Sequence, residues 1–66
     1  MKKYKVIRPN DIVIVTILKN KSDNTYSYVN LTKEHICSYK FTSIQEALKD
    51  MDKLIKENKI IKYYEI

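Results

Sequence analysis

The sequence predicts an α+β fold. It reads as a small single-layer antiparallel sheet, mixed at its last strand, with one helix packed on one face, in the order β-β-β-β-α-β within one domain over residues 1–66. Three observations carry this expectation. Thr42–Asn58 alone has a helical period, which puts Ile44, Ala47, Leu48, Met51, Leu54 and Ile55 on one stripe. The remaining segments are short β-branched and aromatic runs separated by turn residues. Ile12–Leu18 is apolar on both faces, as in a strand covered on both sides rather than one half-wetted. A helix with one apolar stripe needs one apolar surface, and the strands must supply it.

Tyr4–Arg8 alternates weakly and reads as a first strand. Arg8-Pro9-Asn10-Asp11 is a turn, because proline presets φ and Asn and Asp suit the later turn positions. Ile12–Lys19 is the strongest strand, with Ile12, Ile14, Thr16 and Leu18 on one face. Val13, Val15 and Ile17 lie on the other, as the set expected to form core or a dimer contact. Asn20–Asn24 is a polar hairpin loop. In a chain without glycine, its left-handed positions fall to Asn or Asp. Thr25–Thr32 returns as a strand, with Tyr26, Tyr28 and Asn30 opposite Val29 and Leu31. A short turn at Thr32-Lys33-Glu34 leads to a fourth strand, Ile36–Phe41.

The helix follows. Ser43 with Glu46, or Thr42 with Gln45, fits a capping box, and Asn58 is the natural stop. Lys59–Ile66 forms the last strand, with Ile60, Lys62, Tyr64 and Ile66 on one face. The first four strands are expected to form a meander, and the helix to cross one face before the last strand joins the sheet.

A chain of 66 residues buries only about 60% of the surface its unfolded form exposes, so it is expected to lean on good packing or self-association. Its single cysteine, Cys37, rules out an intramolecular disulfide. The lone thiol and the missing secretory h-region point to the cytoplasm, the host's if the gene is phage-borne, and no run is apolar enough to span a bilayer. The net charge is +5. The surplus sits on the strands and the N-terminal arm, where Lys2, Lys3, Lys5 and Arg8 have no acid among them. The helix carries three lysines against four carboxylates. The apolar surface of Ile12–Leu18 exceeds what one helix covers, so a homodimer, packed face to face or edge to edge, is expected.

Catalytic chemistry finds little support. His35 and Cys37, two apart on a strand, point the same way, but a nucleophile also needs an orienting group and an oxyanion hole. Their expected roles are a polar strand end and a small buried hydrophobe. Two such ligands do not make a zinc site, the helix carboxylates form a solvated face, and a chain without glycine has no glycine-rich phosphate loop. The chain is therefore expected to be no enzyme, with neither cofactor nor metal. Tyrosines among lysines offer a different surface. Tyr26 and Tyr28, joined by Tyr4 and Tyr64 and flanked by Lys2, Lys3, Lys5 and Arg8, form the candidate binding face. Such a face could stack single-stranded nucleic acid, whereas the net-acidic helix does not suit groove reading.

In size and style the chain resembles the accessory proteins of phages and mobile elements, being short, basic and glycine-free, without a catalytic set. Many of those bind and block a host enzyme or defence complex, as anti-CRISPR proteins do. The likeness implies a non-enzymatic regulator or inhibitor acting on a protein partner, with a nucleic-acid-binding accessory protein as the alternative. No motif singles out one family.

Overall fold

The computed structural model describes residues 2–66. The elements are β1 (Lys3–Ile7), β2 (Ile12–Asn20), β3 (Thr25–Asn30), β4 (His35–Ile36), α1 (Ile44–Lys56) and β5 (Lys62–Glu65). They build an open five-stranded sheet in the order β4-β3-β2-β1-β5, with α1 on one face. The expected element order and architecture are observed.

One detail of the pairing differs. β5 pairs antiparallel with β1, so no parallel pair occurs. Four alternating strands leave β4 running opposite to β1. A single helix between β4 and β5 keeps β5 in the direction of β4, and beside β1 that direction is antiparallel. The sheet would have been mixed had β5 settled next to β4.

The β1–β2 register pairs Tyr4 with Val15 and Val6 with Val13, and β2–β3 pairs Ile17 with Tyr28. All six therefore point to the helix side. Tyr4, Val6, Val13 and Val15 join Met51 and Ile60 in the buried core, with Ile17, Tyr28, Leu48, Leu54, Ile55 and Tyr63 packed against it. Val13, Val15 and Ile17 are thus core, and they face the helix rather than a second copy. Ile60 also departs from strict alternation. Its place after the Asn58 reversal, ahead of β5, turns it into the core, away from the face that Lys62 and Tyr64 share.

Local chemistry fixes the joints. Arg8 closes the β1–β2 turn through its N–H to the Asp11 carbonyl (2.9 Å), and its guanidinium grips both Asp11 carboxylate oxygens at 2.6 Å. Asn24, Glu34 and Asn58 take left-handed φ values of 59°, 54° and 61°. The two asparagines suit that region, and Glu34 gains nothing from it. Ser43 caps α1 by accepting the Glu46 N–H at 3.1 Å. The Glu46 carboxylate accepts from the Thr42 hydroxyl at 2.5 Å.

The fourth strand is shorter than expected. After Ile36 the Cys37 N–H still bonds the Tyr28 carbonyl, but Ser38–Lys40 leaves the ladder, and pairing resumes only at a bridge between Tyr26 and Phe41. Phe41 is buried against the Tyr28 and Tyr39 rings, so its packing rather than a continuous ladder holds this edge.

Candidate functional site

On the helix side two tyrosines tie the layers together. The Tyr28 hydroxyl donates to the Ala47 carbonyl, and the Tyr63 hydroxyl donates to Asp52 at 2.9 Å. Burial pushes both hydroxyls up from their ordinary ionisation, most strongly at Tyr28, where the Asp50 charge adds to it. These groups staple the helix down, and their polar ends are already occupied.

The tyrosines expected to share one binding face are therefore divided. Tyr4 is buried, edge-on to Tyr63 at 6.3 Å between ring centres. Tyr28 lies under α1, and Tyr26 is half-buried on the same side of the sheet. Tyr64 alone faces the other way, opposite Lys5 in the β1–β5 register. Among the basic residues, Lys3 and Lys5 lie on the Tyr64 side, whereas Arg8 is engaged by Asp11 and Lys2 sits 3.9 Å from Glu65. The alternation of the sequence separates two faces, but only the packing shows which one the helix takes. Within β1 a signal was present: Lys3 and Lys5 alternate with Tyr4 and Val6, and a lysine pair marks the wet side.

That wet side is the face that α1 does not cover. Most of the exposed large hydrophobic side chains of the described residues collect on it. Ile12 and Leu18 come from β2 and Ile36 from β4, and Tyr64 comes from β5. They are joined by Leu31, whose N–H bonds the Ile14 carbonyl, and Ile66, whose N–H bonds the Lys3 carbonyl. Ile36 is 66% exposed and Ile12 52%. Thr16 sits fully buried among them, its hydroxyl donating to the Lys2 carbonyl. The charged side chains that the strands place here are Lys3, Lys5 and Lys62, with no acid among them. Lys3 and Lys5 run between the β2 side chains and Tyr64, so apolar and basic side chains share this one open face.

His35 and Cys37 do come together, at the mouth of a cleft between sheet and helix. His35 is exposed and Cys37 half-buried, and no carboxylate lines that cleft to orient the imidazole. Among the described residues no cluster of three or more His, Cys, Asp or Glu side chains could hold a metal ion, and no helix is long and apolar enough to cross a membrane. No protein-family model, no curated protein and no solved structure matches this chain.

Proposed function

We propose that the protein is a non-enzymatic binding module that docks its open sheet face onto a protein partner whose contact surface combines apolar and acidic side chains. One observation carries this: the face bearing the exposed Ile12, Leu18, Leu31, Ile36, Tyr64 and Ile66 takes lysine as the only charged residue type from its strands. The apolar side chains supply the driving force on contact, and Lys3, Lys5 and Lys62 select acidic neighbours and speed the encounter. Two copies face to face would bring lysine-bearing surfaces together, which favours an acidic partner over self-association. By covering a partner's working surface, such a module regulates or inhibits it. Many accessory proteins of phages and mobile elements act in this way on a host enzyme or defence complex, and the proposal places this chain beside them, in the host cytoplasm.

The alternative, a nucleic-acid-binding accessory protein, rests on Tyr64 lying among Lys3, Lys5 and Lys62. It stands second because Tyr4, Tyr26 and Tyr28 lie on the helix side, leaving one ring of the expected four on the basic face.

The test compares wild type with Ile36→Asp and with the charge reversal Lys5→Glu as baits in a lysate of the source cell. Ile36 is exposed, so its replacement leaves the core intact. The expected result is a stoichiometric protein retained by wild type and lost by both variants. Retention by both variants overturns the proposal. So does capture of nucleic acid whose binding falls steeply with salt, or a wild-type chain that sediments as a dimer at micromolar concentration.

A further inference from the structure

A second site lies on the other side of the sheet, where α1 leaves the ends of β2 and β3 uncovered. We propose that this cleft binds a small organic carboxylate, with an alkyl or aryl body inside and the carboxylate at the mouth. The cleft encloses about 200 Å³. Its floor is Val13, Val15, Met51 and Leu54, all apolar. A dry apolar cavity of about 150 Å³ admits benzene, so a body of one or two rings, or an equivalent alkyl chain, fits here.

The mouth selects the head group. Arg8, Asn30 and His35 line it, and no acid does. Arg8 directs its Nε and Nη2 to Asp11, which leaves three of the five guanidinium N–H groups free. Asn30 accepts the Lys33 N–H on its Oδ1 at 3.0 Å, and among the described residues nothing accepts from its amide nitrogen. Tyr28 also lines the cleft, and its hydroxyl donates to the Ala47 carbonyl. Asp11 is shared between Arg8 and Lys33, the latter at 3.4 Å, so two cations face one anion. The mouth thus offers hydrogen-bond donors and surplus positive charge beside an apolar floor. A carboxylate satisfies both, whereas an ammonium group meets the like charge of Arg8.

2-Naphthoate and the neutral 2-naphthylmethanol, identical in their rings, serve as probes. With naphthoate, the backbone amide resonances of Val13, Cys37 and Leu54 are expected to shift saturably, and alkylation of Cys37 by iodoacetamide to slow. The alcohol is expected to bind at least about tenfold more weakly, the effect of losing a charge-assisted hydrogen bond. Arg8→Gln and Asp11→Asn break the same ion pair but should act in opposite directions. The first weakens naphthoate about tenfold, and the second tightens it by freeing the guanidinium. A purely structural role for the pair would move both variants the same way, and that result overturns the proposal. Absence of saturation up to millimolar naphthoate, equal affinity for the alcohol, or shifts at Ile12, Leu31 and Ile36 instead, would each do the same.

Discussion

Tyr28 shows how one side chain serves both packing and polarity. Its ring packs edge-on to Phe41 at 4.9 Å, and its hydroxyl is buried on the Ala47 carbonyl, so ionising it in the folded state is costly. The folded ionisation lies above the ordinary value of 10.0, so this contribution is complete below pH 10 and is lost as pH rises past it. Tyr28→Phe is expected to cost about 1 kcal/mol near neutrality, for the lost hydrogen bond. It should also flatten the fall in stability above pH 10, as read by urea unfolding across that range. Asp23 behaves in the opposite sense. Hydrogen bonds from Lys40 and Thr25 hold its carboxyl down at about 2. Its exposed contribution is therefore present above 3.8 and fades as pH falls towards 2. Glu34 is the residue whose backbone and side chain disagree, with φ at 54°. Glu34→Gly should raise stability by about 0.5–1 kcal/mol, measured as a higher denaturation midpoint at unchanged slope.

Among the elements, α1 was the most legible. The apolar stripe, the Ser43 cap and the Asn58 stop all follow from residue types in one short window, and each is seen in the fold except at Ile44, which was expected on the stripe but is exposed in the first turn. Ser43→Ala is expected to cost about 1 kcal/mol, and Met51→Ala, at the buried centre of the stripe, about 2–4 kcal/mol. For a domain this small the second loss should leave much of the population unfolded at 37 °C, which circular dichroism would show. The fourth strand was less legible. Ile36–Phe41 alternates like a strand, yet the buried Phe41 holds its end by ring contacts while Ser38–Lys40 swings away. Such competition between packing and ladder is tertiary and leaves no mark on the pattern. The direction of β5 was likewise set by which edge it reached.

At the scale of the molecule, one helix covers one face of a sheet whose central strand is apolar on both. That imbalance was readable in Ile12–Leu18. The identity of the uncovered face was not. Alternation assigns Val13, Val15 and Ile17 to one side and Ile12, Ile14 and Leu18 to the other, and it treats them equally. The hairpin register decides, because Arg8–Asp11 sets Lys3 and Lys5 beside Thr16 and Ile14 and so marks the uncovered side. The candidate tyrosine face dissolved for the same reason, while Lys3, Lys5 and Tyr64 remained together on the open side. The most direct measurement is photocrosslinking from this face. A benzophenone side chain is placed at Ile36, and in a separate chain at Lys49 on the outer surface of α1. The proposed docking predicts one protein crosslinked from position 36 and none from 49, with the yield reduced by Lys5→Glu. Crosslinks of equal yield from both positions, or a product from position 36 with twice the mass of the chain, would contradict it.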